Sequence, residues 1–267
     1  MKKYISFSIY SLVLFLPLLF SCSEEIPYGE RYEEMPFVEP KRHILIEDFT
    51  GQKCRNCPEA HQVIDELQTL YGDYVIAVAI HTDLGSNGVF GIAEGKETNT
   101  IGLMQPEGDE YAMRWGVSFL PAGLINRNPE PLKHTEWAAY ARQALARDPQ
   151  ATISLSSEVV DNTLRVNTEI LSATHLEGKL QLWITESNIT ALQQNGRLVD
   201  YNYLHNHVYR AAINGFEGEP VVLNSNEKTT REHNIVLRNN WKIENLSVIA
   251  FVYTEADGVV AVSEHHL

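Results

Sequence analysis

Cysteine is scarce in this chain, with Cys22, Cys54 and Cys57 the only three among 267 residues. A zinc knuckle is disfavoured, because only one Cys-x-x-Cys is present and four ligands are required. Basic charge is also scarce. The 21 Lys and Arg stand against 35 Asp and Glu, a net charge of −14, and they form no stripe that could follow a phosphate backbone, so nucleic acid is excluded as a partner. Long apolar runs are confined to Ile5–Phe20, which Ser6, Ser8, Ser11 and Pro17 interrupt. That run, behind Lys2 and Lys3, has the length of a signal peptide and falls short of a spanning helix. No helical stripe follows Pro149, and no motif implies a cofactor or a resident metal. What is present is globular: 44% apolar and 21% charged residues suffice for two modest domains.

The stretch with chemistry in it runs from His43 to Pro58. It reads as a buried strand, Ile44 to Phe49, a turn at Gly51, and a helix beginning near Cys54. A helix N-terminus offers unpaired N–H groups and positive potential, which stabilise a thiolate. Lys53 and Arg55 add positive charge. Two intervening residues let Cys54 and Cys57 close and reopen a disulfide by exchange. A structural disulfide is the competing reading of the same spacing. Asp48 is read either as a buried proton acceptor or as an edge-strand carboxylate facing water.

Downstream, Ala60, Val63, Ile64, Leu67, Leu70 and Tyr71 trace one helical stripe, ended by Gly72-Asp73. Tyr74 to Ile80 is a continuous apolar run expected of a strand covered on both faces. Strand, helix and strand make a βαβ unit with a parallel pair. Residues 82–107 form a long Gly-, Asn- and acid-rich insertion, functional or mobile. A short helix is expected over Tyr111–Gly116, a strand with Pro121 at its entry over Val117–Asn126, and a helix with Thr135 as N-cap.

Periodicity changes after Pro149. Ile153, Leu155 and Val159 alternate with polar residues, Asp161-Asn162 turns, and Leu164, Val166, Thr168 and Ile170 alternate again: a β-hairpin. Further strands are expected over Leu180–Thr185, His207–Ile213, Lys228–Leu237, Ser247–Tyr253 and Val259–Ser263, together suggesting an immunoglobulin-like sandwich. His205 and His207, two apart on a strand, would share a face at a spacing able to chelate a metal. No nearby carboxylate completes such a site, which favours hydrogen-bonding roles in the sandwich.

Leu19-Phe20-Ser21-Cys22 resembles the lipobox of bacterial lipoproteins, which implies cleavage before Cys22 and lipidation of its sulfur. Cys54 and Cys57 are then the remaining thiols. Ser23-Glu24-Glu25 is similar to the export tag of surface-exposed lipoproteins. Over Arg42–Arg147, the strand, the Cys-x-x-Cys, the parallel strand and Leu120-Pro121 resemble thioredoxin. That resemblance implies that Asp48 deprotonates Cys57 and that Pro121 is a cis-proline orienting the substrate backbone. Lys53, Arg55-Asn56 and Pro58 depart from the thioredoxin pattern. The lipobox, Phe49-Thr50-Gly51-Gln52-Lys53-Cys54-Arg55-Asn56-Cys57-Pro58, Tyr201 to Arg210 and Phe251-Val252-Tyr253 together resemble the outer membrane protein twenty-eight-type lipoproteins. The family architecture implied is a signal peptide (1–21), a lipidated tether (22–40), an α/β thioredoxin-like domain (41–149) and an all-β immunoglobulin-like sandwich (150–267).

Two functions are expected from this reading. The first is an outer-membrane-anchored thiol–disulfide oxidoreductase acting on a protein or peptide thiol or disulfide, through Cys54, Cys57, Asp48, Pro121 and Arg55. The second is a non-catalytic surface-exposed binding lipoprotein in which Cys54–Cys57 is a staple. Either would sit in the outer membrane, facing periplasm or cell surface.

Overall fold

The structure is a computed structural model that describes residues 37–127 and 130–267. The expected signal peptide, the lipidation site Cys22 and the tether up to residue 36 lie outside the described residues. Residues 38–267 form one compact unit, mixed α/β with many strands and few helices. Among the described residues no helix is long and apolar enough to cross a membrane.

The first part contains β1 (Ile44–Thr50), α1 (Cys57–Tyr71), β2 (Val75–His81), α2 (Pro106–Arg114), β3 (Ala122–Ile125) and α3 (His134–Leu145). The β1–α1–β2 unit places β1 and β2 parallel, Ile44 opposite Val75 and Thr50 opposite His81. β3 runs antiparallel to β1 at the sheet edge, and the Leu120–Pro121 bond that enters it is cis. The helices differ in detail from the sequence pattern. Leu70 is half exposed, α2 begins five residues before Tyr111, and Lys133, not Thr135, is the N-cap of α3. Glu136 accepts a hydrogen bond from the Lys133 backbone N–H at 3.0 Å, so a carboxylate reaching back from the first turn satisfies the N-cap donor.

Ten strands follow: β4 (Ala151–Val160), β5 (Thr163–Ser172), β6 (Leu176–Glu186), β7 (Ile189–Asn195), β8 (Leu198–His205), β9 (Val208–Ala212), β10 (Glu219–Leu223), β11 (Lys228–Val236), β12 (Leu246–Thr254) and β13 (Gly258–His266). The β4–β5 turn holds Asp161 and Asn162 at φ of 49° and 64°, the paired left-handed conformation that tight hairpins require. β7, β8 and β10 are additional to the strands expected from alternation.

The large sheet runs β13-β12-β6-β9-β2-β1-β3, with β10 also on β6. It crosses the expected boundary near Pro149, because β9 pairs with β2 through Ala79 and Val208. One face of the sheet buries Leu45, Phe49, Ile76, Trp183, Ile249 and Phe251 against Tyr111 and Ala112 of α2. The other face has two covers. Ile44, Ile46, Val75 and Ala77 pack on α1 and α3, whereas Leu180, Leu182, Val248 and Ala250 pack on Leu164, Val166 and Ile170 of the separate β11-β5-β4 sheet. The later strands are therefore a sheet-on-sheet layer, one sheet of which continues into the α/β part. Coverage on both faces explains why β12 is apolar without alternation from Val248 to Tyr253.

Candidate functional site

Cys54 and Cys57 are joined in a disulfide. The sequence reading put both on the first helical turn, but α1 begins at Cys57, with Asn56 as N-cap and Pro58 in the first turn. Cys54 lies in the preceding turn, its N–H donating to the Gly51 carbonyl at 2.9 Å. Pro58 favours this arrangement, since its fixed φ suits the first turn and its missing N–H removes one unsatisfied donor. The helix N-terminus therefore acts most directly on Cys57. Lys53, expected to add positive charge beside the thiol, is paired with Glu97 at 2.9 Å. Arg55 is exposed.

Both sulfur-bearing residues are sealed, with Cys54 3% and Cys57 0% exposed. Two segments cover them. The 82–105 insertion lies against the turn, with the Lys53 N–H donating to the Phe90 carbonyl at 2.9 Å. A Cβ on Gly51 would lie 2.7 Å from that same oxygen, so glycine there permits the approach. Asp83 shapes the insertion by accepting from the N–H groups of Gly88, Gly91 and Phe90, the last two at 3.0 and 2.7 Å, bonds that hold its carboxyl below the usual carboxylate range despite burial.

The second cover is the β7–β8 hairpin. Its backbone donates from Gln194 to the Gln52 carbonyl at 2.7 Å and from Gly196 to the Arg55 carbonyl at 2.9 Å. The Gln193 amide donates to the carbonyls of Cys54 and Gly51 at 3.0 and 3.2 Å. Gln52, fully buried, pins both covers together: its amide donates to Ile101 and Leu192 carbonyls, and its carbonyl accepts from the Leu103 N–H.

Asp48 is completely buried, which resolves its two readings in favour of the interior. It shares a β1 face with Ile44 and Ile46 and so points toward α1. Neither carboxylate oxygen has a hydrogen-bond partner, and burial raises its pKa well above the ordinary value. The nearest cation-capable group is His61, whose Nε2 is 3.5 Å from Asp48 Oδ2. His61 stands four residues after Cys57, one helical turn along. Its Nε2 is 3.1 Å from Thr50 Oγ1 and its Nδ1 is 2.8 Å from Tyr203 Oη on β8.

These groups open onto a pocket of about 50 Å³ lined also by His81, His205 and His207. His81 and His205 are 2% and 3% exposed, and their rings meet edge to face at 5.5 Å. Burial, reinforced by the charges of His205 and His207, depresses the His61 pKa to about 3. Burial takes His205 to about 4 and His81 well below its ordinary value. All three are neutral at pH 7. The expectation that His205 and His207 share a strand face needs correction: β8 ends at His205 and His207 is in the left-handed region, φ 56°. The pair nevertheless lines one pocket. Among the described residues no three His, Cys, Asp or Glu side chains converge to hold a metal ion.

Pro121 is buried at the entry to β3, whose Ala122 lies opposite Phe49. The sequence reading missed His61, His81, Tyr203 and Gln193. His61 had a signal in its spacing of four from Cys57. Gln193 had none, because it meets backbone carbonyls and not an apolar core.

Comparison with known proteins adds a family. The family model described as outer membrane protein Omp28 matches residues 108–267. No curated protein matches the chain in sequence. HBP35 of Porphyromonas gingivalis superposes with a TM-score of 0.65 at 14% identity, covering 86% of this chain and 77% of that one. An Agrobacterium tumefaciens protein gives 0.50 at 14% identity, covering 86% and 95%. A domain of the outer membrane lipoprotein Omp28 from P. gingivalis is 20% identical over 43% of this chain and 93% of that one, with a TM-score of 0.33. At these identities the superpositions with HBP35 and the A. tumefaciens protein speak to fold alone.

Proposed function

The chain belongs to the Omp28 family of outer membrane lipoproteins, and from that footing we propose that it is a thiol–disulfide oxidoreductase anchored through lipid on Cys22. In this reading residues 41–149 are a thioredoxin-like domain and 150–267 an immunoglobulin-like sandwich, fused through the shared sheet. The observation that carries the proposal is the placement of Asp48. A carboxyl that accepts no hydrogen bond is buried on the strand beneath the helix that Cys57 begins, where a structural staple has no need of one and where burial is costly.

The chemistry is exchange with a protein or peptide disulfide. In the reduced protein the Cys54 thiolate attacks one substrate sulfur, the substrate S–S bond breaks, and the departing thiolate takes a proton. Cys57 then gives its proton to Asp48 and attacks Cys54 Sγ, which closes Cys54–Cys57 and releases the second substrate thiol. Two electrons and two protons pass from the dithiol to the substrate. Arg55 supports the Cys54 thiolate from the solvent side, and Pro121 orients the substrate strand.

The test is turnover of a peptide disulfide by the purified protein. Cys54→Ser is expected to abolish it, and activity indifferent to that substitution would refute the proposal. Burial of both cysteines favours a second reading, a surface-displayed binding lipoprotein with a stapled first domain. A Cys54–Cys57 potential below about −300 mV against glutathione would support the staple.

A further inference from the structure

Sealing the disulfide creates a proton problem. Closing or opening Cys54–Cys57 releases or takes up protons, yet Cys57 is fully buried and its turn is closed over by β7–β8 and the 82–105 segment. The sulfur has no direct contact with bulk water while both covers are in place, and low-dielectric surroundings penalise a charge left there.

Resting on the redox reading above, we propose that Asp48, His61 and Tyr203 form a proton relay between Cys57 and the solvent at the mouth of the histidine pocket. The geometry supplies the links from Asp48 outward and places Cys57 on the helix that packs over the Asp48 strand face. Cys57 and His61 occupy the same face of α1 one turn apart, above the strand that carries Asp48. Asp48 Oδ2 lies 3.5 Å from His61 Nε2, so a shift of a few tenths of an ångström completes a hydrogen bond. His61 Nδ1 is already 2.8 Å from Tyr203 Oη. An imidazole that accepts at one ring nitrogen and donates from the other passes a proton without carrying a lasting charge. Beyond Tyr203 the pocket reaches exposed Asp65 and Asn206.

The groups around the relay suit this role. Thr50 from β1, His81 from β2 and His205 from β8 face it, with Asp65 of α1 and His207 at the outer end. Burial keeps His61, His81 and His205 neutral at pH 7, and the raised pKa of buried Asp48 makes its carboxylate the stronger base for the Cys57 proton. Both ring nitrogens of His81, Nε2 of His205 and both Asp48 oxygens lack partners, and a pocket of about 50 Å³ has room for water that can hydrogen-bond them. In full balance, Cys57 S–H gives its proton to Asp48, Asp48 to His61 Nε2, His61 Nδ1–H to Tyr203, and Tyr203 O–H to solvent, while the electron pair on Cys57 forms the bond to Cys54.

The test is single-turnover oxidation of the reduced full-length protein, in detergent, by a peptide disulfide. His61→Ala is expected to slow closure at least about 10-fold at pH 7, with the Cys54–Cys57 potential unchanged and the rate restored by added imidazole. Tyr203→Phe, which removes a single oxygen atom and preserves packing, is expected to slow it less and to gain nothing from imidazole. Wild-type rates in both variants, or a slowed His61→Ala that imidazole does not rescue, overturn the relay while leaving the redox reading in place. Absence of any Cys54-dependent exchange in the wild-type protein overturns both.

Discussion

Asp48, His61 and His205 show how burial sets charge at this site, and the signs of their effects on stability differ. An unfolded histidine takes up a proton below about pH 6.5, whereas burial delays uptake by folded His205 to about pH 4 and by His61 to about pH 3. Between those limits the unfolded state binds more protons, so stability falls as pH falls. Asp48 acts in the opposite sense. Its folded carboxyl keeps a proton that the unfolded chain releases near pH 4, so its contribution declines as pH rises through the window up to the folded value. Comparison with a non-titrating variant separates the histidine contribution. Between pH 7 and pH 5.5, wild type is expected to lose about 1 kcal/mol of stability relative to His205→Gln, read as urea midpoints at the two pH values. An equal change in both proteins would show that His205 titrates in the fold as it does in the unfolded chain.

At the scale of elements, the β7–β8 hairpin is one of two covers over the buried Cys54 turn. Gln193 donates from one side-chain amide to the Cys54 and Gly51 carbonyls; the Gly51 carbonyl also accepts from the Cys54 N–H, so removing Gln193 leaves the buried Cys54 carbonyl unmet at a cost of about 1–3 kcal/mol. Gln193→Ala is therefore expected to speed reduction of Cys54–Cys57 by a small-molecule thiol roughly 5- to 100-fold, with fluorescence or circular dichroism reporting an intact fold. An unchanged rate would mean that access does not depend on this hairpin. The same element explains what the sequence concealed. The β4–β5 hairpin was legible because Leu164, Val166 and Ile170 face an apolar core and Asp161-Asn162 supplies the turn. The β7–β8 hairpin instead directs Gln193 onto a backbone turn and leaves Leu198, Val199, Tyr201 and Leu204 exposed, so hydrophobic alternation does not announce it. The strand–turn–helix around the cysteines and the placement of Asp48 on β1 were legible for the opposite reason, being local. His61 escaped notice because a polar residue on the inner stripe of α1 is intelligible only once Asp48 and Tyr203 stand beside it.

At the scale of the molecule, the sheet is continuous between the two parts of the chain through β2 and β9, and Arg127 is where coupling between them is most open to test. Its Nε lies 3.1 Å from Glu47 Oε1 on β1, both side chains being almost wholly buried. Its guanidinium stacks within 4.6 and 4.2 Å of the Phe251 and Tyr253 rings on β12. Burial raises the Glu47 pKa, and the Arg127 charge and hydrogen bond partly offset that rise. A buried pair of this kind adds little net stability as a pair, but removing one partner strands the other charge among apolar rings. Glu47→Gln is therefore expected to cost about 3–5 kcal/mol. Because Arg127 touches strands from both parts, the loss should appear in one cooperative transition, with near-ultraviolet and far-ultraviolet signals of the variant still coincident in urea. Two separated transitions, with only residues 41–149 destabilised, would show that the continuous sheet joins two independently folding domains. A single shifted transition means that opening the hairpin over Cys54 is a local event set against a cooperative background, so the covers can move without loosening the strand that carries Asp48.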